Sequence, residues 1–261
     1  MEYKKLTNII EEIAPPHLAE SWDNSGVQIY TGKKNISAVL VCLEINRDVI
    51  AEAERRGMDM IVSHHPLIFG GTDCIDAGDG QTGEYITRLI RSDICVYSAH
   101  LSFDNAPLGN NYYMAQLLQL TNTARPMDNE DGIPGLTGDL PLPMDLDEAC
   151  AHVTKALKLP DGYIRTVGDP GAILKKVGLC TGGGGEFLDI AIKEGCDLFI
   201  TGDVKFHEAQ KAKAKGIALI DAGHYGTEKI FAENFADQLR ARASDGIIIE
   251  ETSANTNPYV V

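Results

Sequence analysis

A stretch of thirty residues occurs twice in this chain, and the repeat restricts the folds that the chain can adopt. Residues 36–65 align with residues 174–203 without a gap. Each copy has the pattern of a strand, a helix that ends at a glycine (Gly57 or Gly195), an aspartate and a second strand. Glycine is the usual residue after the last turn of a helix. The repeat therefore predicts two βαβ units, each with parallel strands and a right-handed crossover.

The similarity extends into the next predicted strand of each copy. Residues 94–104 and 217–228 each contain an apolar strand followed by a histidine and, four positions later, a carboxylate. We therefore expect an α/β fold with two similar halves, residues 1–124 and 125–261, each with a mainly parallel sheet flanked by helices. The segment 121–143 is rich in Pro, Gly and Asp, which is typical of a connection.

Composition and charge disfavour several classes of function. The chain has 23 Lys and Arg against 38 Asp and Glu, whereas nucleic-acid binding needs concentrated positive charge. No apolar run approaches the ~20 residues of a membrane span, and residues 1–16 form an amphipathic helix start rather than a signal peptide. The six cysteines include no C-x-x-C pair. This cysteine usage predicts a reduced, cytoplasmic protein.

Histidines and carboxylates follow the predicted strands. The stretch SHHP, residues 63–66, places two histidines at a strand end, and its proline favours a break in strand geometry that lets both side chains share one target. Ligands of α/β sheets bind at the carboxyl ends of strands, so we expect a metal site in the cleft between the two halves. The candidate ligands are His64, His65, Asp104, His224 and Glu228.

Three imidazoles and two carboxylates exceed the three protein ligands of a single catalytic zinc. They suit two divalent ions per chain, zinc, manganese or iron, at the separation of about 3.5–4 Å found in dinuclear hydrolases. Because a carboxylate can bridge two ions, we expect Asp104 or Glu228 to be the bridge. The alternative is that all five are ordinary hydrogen-bonded polar groups, which is the better interpretation for a lone histidine.

Further polar residues near the strand ends each have two interpretations. His100 corresponds to His224 in the repeat and is a candidate catalytic proton donor or acceptor, or a packing residue. Glu228 is the second candidate catalytic group. Asp203 and His207 are expected to orient ligands or contact substrate, and a third metal site is the alternative.

Two loop segments also remain open to interpretation. The run Gly182–Gly185 follows a predicted strand and precedes a helix. Exposed amides at a helix start can bind an anion, so Gly183 and Gly184 are candidate substrate contacts, but a tight turn fits equally well. The stretch Trp22–Gly26 predicts a turn with a buried indole, or the mouth of a cavity.

Five motifs together resemble the NIF-three-like dinuclear metal-centre family, whose members are also called GTP cyclohydrolase 1 type 2 homologues. The motifs span nearly the whole chain and are SWDNSGVQI (21–29), SHHPLIF (63–69), the glycine run, TGDVKFHEA (201–209) and DAGHYGTE (221–228). The resemblance implies a two-ion site formed by the five candidate ligands, a toroidal homohexamer, and ring-opening hydrolysis of GTP with release of formate. This chain has Leu101 and Ser102 after His100 where relatives often have Thr and Asn, and Glu44 where they tend to have Asp. These departures concern substrate contacts rather than metal binding.

The sequence thus supports two functional hypotheses. The first is a metal-dependent hydrolase with GTP as its substrate, favoured by the surplus of polar residues around the candidate ligands. The second is a non-catalytic metal-binding or regulatory hexamer that stores or delivers metal. The net charge of −15 is unfavourable for the capture of GTP, which keeps the second hypothesis open.

Overall fold

The chain forms two compact units, seen in a computed structural model that describes residues 1–78, 80–126, 135–243 and 246–259. The first unit comprises Met1–Gly109 and Phe231–Pro258, and the second comprises Asn110–Ile230 together with Tyr259. The division therefore differs from the predicted boundary at residue 124. The chain leaves the first unit after Gly109 and returns to it at Phe231. The segment Phe231–Pro258 was expected in the second half but belongs to the first unit.

Helices and strands are interspersed along the described residues. The α-helices are α1 (Tyr3–Ile13), α2 (Arg47–Arg56), α3 (Thr82–Arg91), α4 (Leu101–Asp104), α5 (Asn110–Leu117), α6 (Leu146–Ala156), α7 (Leu188–Lys193), α8 (Phe206–Lys215), α9 (His224–Glu228) and α10 (Phe231–Arg242). The strands are β1 (Gly26–Ile29), β2 (Ala38–Cys42), β3 (Met60–Ser63), β4 (Cys95–Ser98), β5 (Thr121–Ala124), β6 (Leu136–Met144), β7 (Arg165–Val167), β8 (Leu174–Leu179), β9 (Leu198–Thr201), β10 (Ala218–Asp221) and β11 (Ile248–Glu251). Two 3₁₀ turns lie at Pro16–Leu18 and Gly185–Phe187.

The first unit contains a five-stranded sheet with the order β1-β4-β3-β2-β11. Only β1 is antiparallel to its neighbour, so this sheet is mainly parallel, as predicted. Successive residues of β2 face opposite sides. Val39 and Val41 pack in one apolar cluster with α1 and α10, and Leu40 packs in another with α2 and α3. Burial on both faces explains why β2 and β3 are continuous apolar runs.

The second unit contains a six-stranded sheet with the order β5-β6-β8-β9-β10-β7. Its central strands β8, β9 and β10 are parallel and correspond to β2, β3 and β4, so the predicted repeat of βαβ units is confirmed. The outer pairings are antiparallel, which makes this sheet mixed rather than mainly parallel. The repeat also includes an antiparallel edge strand that the sequence pattern did not reveal, since β7 pairs with β10 as β1 pairs with β4.

The described residues of the segment 121–143, which was predicted to be a connection, largely form strands. Its first residues form β5 and its last residues form most of β6, both in the second sheet. Residues 127–134 lie outside the described residues. The Pro and Gly content misled the prediction because β5 and β6 lie near a sheet edge, where such residues are tolerated.

The structure can be compared with two predictions about the environment of the chain, which concern membrane spans and cysteines. None of the helices in the described residues has the length and apolar character that a bilayer span requires. All six cysteines are free thiols. A cytoplasmic location remains a prediction.

Candidate metal centre

His64 and His65 directly follow β3, where the backbone still pairs with the segment after β2. The His64 amide donates to Cys42 O at 3.1 Å, and the His65 amide donates to Leu43 O at 3.0 Å. The two imidazole rings lie 5.2 Å apart between centroids, at an interplanar angle of 41°. Adjacent histidines can therefore present their rings to one region, as the SHHP motif predicted.

An oxygen holds the Nδ1 atom of each of these rings. His64 Nδ1 lies 2.9 Å from Ala99 O, and His65 Nδ1 lies 2.7 Å from Glu44 Oε2. Because a carbonyl or carboxylate oxygen accepts, Nδ1 is assigned as the donor in both rings. This tautomer leaves Nε2 as the ring nitrogen that could bind a metal. Metal-binding histidines show this arrangement, in which an outer oxygen fixes the tautomer and the ring orientation.

His100 has the same arrangement at the start of α4. Its Nδ1 donates to Asp23 Oδ1 at 2.7 Å, and Ser25 Oγ donates to the other Asp23 oxygen at 2.5 Å. Burial raises the pKa of Asp23, but the hydrogen bonds from His100 and Ser25 outweigh it and hold the pKa below its ordinary value. Asp23 therefore stays ionised and fixes the His100 ring.

The first unit thus contains a histidine cluster, which we define as His64, His65 and His100. Each residue offers one ring nitrogen, and these three nitrogens lie within 4.8 Å of one another. Asp104 lies in the same unit at the end of α4, with Oδ2 3.5 Å from His64 Nε2. A separation of four residues places Asp104 and His100 on one helical turn, so a single turn supplies a carboxylate and an imidazole to this cluster.

The second unit contains another imidazole and carboxylate pair on α9. His224 Nε2 lies 2.9 Å from Glu228 Oε2, and His224 Nδ1 lies 2.8 Å from Asp203 Oδ2. Burial lowers the pKa of His224, but hydrogen bonds and charge interactions with Glu228 and Asp203 raise it to about 9. Without a metal this ring is therefore protonated at neutral pH, and a cation that displaced the proton would occupy the same negative environment.

The glycine run forms a tight turn beside this pair. The Gly182 amide donates to Thr227 Oγ1 at 2.9 Å, and the Gly184 amide donates to Thr201 Oγ1 at 3.0 Å. A Cβ built on Gly182 would lie 2.2 Å from Glu228 Oε1. The close approach of the backbone to this carboxylate explains glycine at position 182. Of the two candidate substrate contacts, Gly183 and Gly184, the amide of Gly184 is bonded to a threonine instead.

We expect Gly182→Ala to displace the Glu228 carboxylate and to lower the pKa of His224 from about 9 by about one unit, equal to ~1.4 kcal/mol. NMR titration of the His224 ring in metal-free protein measures this change. Gly195→Ala is the matched control, because Gly195 has φ +68 against +69 at Gly182 and no atom within 4 Å of its Cβ position. Equal His224 pKa values in the two variants would contradict the proposed contact.

The structure separates two further residues that the sequence grouped. Asp203 lies against His224, as expected of a residue that orients a ligand. His207 is instead exposed near the start of α8, where its ring contacts Phe206 at 5.5 Å between centroids. The prediction of a buried indole is wrong, since 63% of the Trp22 surface is exposed.

Sequence reasoning missed two carboxylates that hold histidines in place. Glu44, two residues after β2, bonds His65, and Asp23 bonds His100. Position 44 had been noted only as a departure from the relatives. The signal that could have found Glu44 is its place after a parallel strand adjacent to the one that ends at His65.

A cavity of about 220 Å³ in the second unit opens beside His224 and Asp203. Tyr163 and Arg165 also line it, and the buried Asp221 carboxylate accepts from the Arg165 guanidinium. The second unit therefore has room for a small ligand, or for part of a larger one, next to a candidate metal ligand.

Two α/β units with imidazole and carboxylate groups at their strand ends define a class of α/β proteins suited to bind metal ions. The family model described as Duf34/NIF3 (NGG1p interacting factor 3) matches residues 1–258. The chain belongs to this family.

Three comparisons show what the chain is similar to. It is 34% identical to a GTP cyclohydrolase 1 type 2 homolog from Clostridium perfringens strain 13, over 99% of both chains. It is 30% identical to the GTP cyclohydrolase 1 type 2 of Helicobacter pylori strain J99, over 91% of both chains. Among solved structures, a Bacillus cereus protein related to NIF3 superimposes with a TM-score of 0.91 at 22% identity, covering 100% of this chain and 99% of the other. The last similarity confirms the fold.

Proposed function

We propose that this protein is a metal-dependent hydrolase that opens the imidazole ring of the guanine base in GTP and releases formate. The observation that carries the proposal is a hydrogen-bonding arrangement shared by four histidines, His64, His65, His100 and His224. In each, an oxygen lies within hydrogen-bonding distance of Nδ1, which directs Nε2 to act as a ligand or a proton carrier.

The proposed ligands are the five residues predicted from the sequence, and they would bind two divalent ions of zinc, manganese or iron. The residues fit such ions because imidazole and carboxylate donors suit this group of metals. Two of the donors, Asp104 and Glu228, are buried. Burial of an ionised carboxylate is costly unless a cation compensates it, which supports a cationic occupant.

Bound ions would supply a water nucleophile at neutral pH and would polarise the carbon under attack. The residues of the chain would hold the substrate and move protons. His100 is the proposed proton carrier, because Asp23 occupies its Nδ1 and leaves Nε2 as the exchanging atom. Glu228, next to His224, is the second proposed proton acceptor.

The choice of GTP as substrate is supported by the similarity to the Helicobacter pylori relative, which is named as a GTP cyclohydrolase. The chain matches that relative over 91% of both lengths. A homohexamer is part of the same proposal, and light scattering would give its mass.

A second candidate function is non-catalytic storage or delivery of metal. The net charge of −15 favours it, because a strongly acidic surface attracts cations and repels a triphosphate. The two functions differ in substrate turnover, because a hydrolase requires it and a storage protein does not. Storage instead requires rapid and reversible release of metal.

The test is GTP turnover by protein loaded with manganese, zinc or iron, with formate, the pterin product and metal content measured on the same samples. We expect turnover in the wild type and its loss in Glu228→Gln, which keeps the shape of the side chain but removes its charge. Glu12→Gln, on the exposed face of α1, is the control that retains activity. Full metal occupancy without turnover would overturn the cyclohydrolase proposal and favour storage.

A further inference from the structure

Two aromatic side chains are exposed on neighbouring loops of the first unit. Trp22 is 63% exposed and Phe69 is 61% exposed. Their rings meet edge to face, with centroids 6.4 Å apart and an interplanar angle of 79°. We call this pair the aromatic rim. Exposed aromatic groups leave apolar surface in contact with water, which a bound ligand would cover.

Polar contacts hold the two loops of the aromatic rim together. Asn24 Nδ2 donates to Ile68 O at 2.6 Å, and the Ile68 amide donates to Gln28 Oε1 at 3.1 Å. Asn24 and Ile68 are each one or two positions from a rim residue. The two loops that carry the rings are therefore held together by hydrogen bonds between side chains and backbone, so a ligand that stacks on the rings would meet a preorganised surface.

The aromatic rim borders the histidine cluster. The Phe69 ring meets the His100 ring edge to face at 6.2 Å. Trp22 directly precedes Asp23, the carboxylate that fixes His100. A molecule that stacks on the rim would thus lie next to the proposed proton carrier, and the SWDNSG motif would serve both to orient His100 and to bind substrate.

The size of the aromatic rim decides between two kinds of occupant. A stable protein interface buries about 800 Å² on each partner, whereas two aromatic side chains supply about 150–250 Å² each. The rim alone is too small for a second copy of the chain. It matches one planar ring system, which would stack on one of the two perpendicular rings and meet the edge of the other, because bases stack on aromatic side chains without needing charged contacts.

We infer that Trp22 and Phe69 form a stacking site for a planar heteroaromatic ring, which in the proposed reaction is the guanine base of GTP. This inference rests on the proposed function for the identity of the base. The neutral amides of Asn24 and Gln28 border the site, so recognition of an uncharged ring there is not opposed by the acidic composition of the chain.

The test uses the fluorescence of Trp22, which is the only tryptophan in the chain. Emission therefore reports on this site alone. We expect guanosine to quench the emission of the metal-loaded protein saturably, and tripolyphosphate, which has no base, to leave it unchanged. Phe69→Ala should weaken guanosine binding about tenfold. Tyr30→Ala, which removes another exposed aromatic group of the first unit, should leave it unchanged.

Three results would overturn the inference. The first is no quenching of Trp22 emission by guanosine, and the second is equal guanosine affinity in Phe69→Ala and the wild type. The third is Trp22 emission that depends on protein concentration but not on guanosine, which would indicate that a second copy of the chain covers the rim. The outcome is separate from that of the turnover assay. Guanosine binding without GTP turnover would leave the stacking site in place and remove the cyclohydrolase proposal, and turnover without a fluorescence response would do the reverse.

Discussion

We expect His65→Ala protein to be isolated with its fold intact but without the two divalent ions per chain that we propose. The His65 side chain is 22% exposed at the end of β3, and it belongs to neither apolar cluster of the first unit. Its removal therefore leaves no cavity in the core. Loss of an outer partner of a metal ligand typically weakens binding ~10–100-fold, and loss of a ligand itself should exceed that. Elemental analysis gives the metal content, and circular dichroism checks the fold.

His17→Ala is the matched control, because His17 is an exposed histidine on the first 3₁₀ turn of the same unit. It should retain the metal content of the wild type. Two ions per chain in His65→Ala would show that His65 is not a ligand. Glu44→Gln offers an intermediate case, in which binding weakens but persists because the ligand remains and only its outer partner changes.

We expect Glu52→Gln to lower the free energy of unfolding by about 3 kcal/mol at pH 7. The Glu52 side chain is 3% exposed on α2 and ties down the segment that follows β11. Its oxygens accept from Thr252 Oγ1 at 2.5 Å, from Ser253 Oγ at 2.7 Å and from Arg56 at 2.6 Å. Burial raises the pKa of Glu52, but these hydrogen bonds outweigh burial and lower the pKa from 4.5 to about 2.

The depressed pKa fixes the direction of the pH dependence. The stability contributed by Glu52 is fully present above pH 4.5 and is lost as the pH falls toward 2. Urea unfolding at pH 7 and pH 3 should therefore show a smaller loss in Glu52→Gln than in the wild type. Glu12→Gln, with an exposed side chain, should follow the wild type. Parallel pH profiles for Glu52→Gln and the wild type would contradict the assigned contacts.

Local sequence patterns predicted the parallel core of each unit well. The repeat located β2, β3, β8 and β9, because buried parallel strands are short apolar runs and the helix between them ends at a glycine. The histidines and carboxylates that follow these strands were found for the same reason. The antiparallel edge strands escaped prediction, since β5 and β7 are short and mostly exposed and have no apolar signature.

The hydrogen-bond partners of His65 and His100 were not predicted, because they are distant in the sequence. Asp23 lies 77 residues from His100, and Glu44 lies 21 residues from His65. Their proximity depends on the order of strands in the sheet rather than on any local spacing. The predicted boundary at residue 124 differs from the observed division for a similar reason. The repeat carries no information on which unit contains the segment after Ile230.

The return of the chain to the first unit at Phe231 has a consequence for synthesis on the ribosome. Phe231, Phe235 and Leu239 belong to the same apolar cluster as Leu6 and Ile10 of α1. The N-terminal half of this cluster therefore leaves the ribosome long before its C-terminal half exists. The second unit is nearly continuous in the sequence, so its core can form first. Until α10 is synthesised, the apolar residues of α1 and β2 that pack against it remain exposed. Nascent chains therefore expose this apolar surface until α10 has emerged, and such exposure favours aggregation.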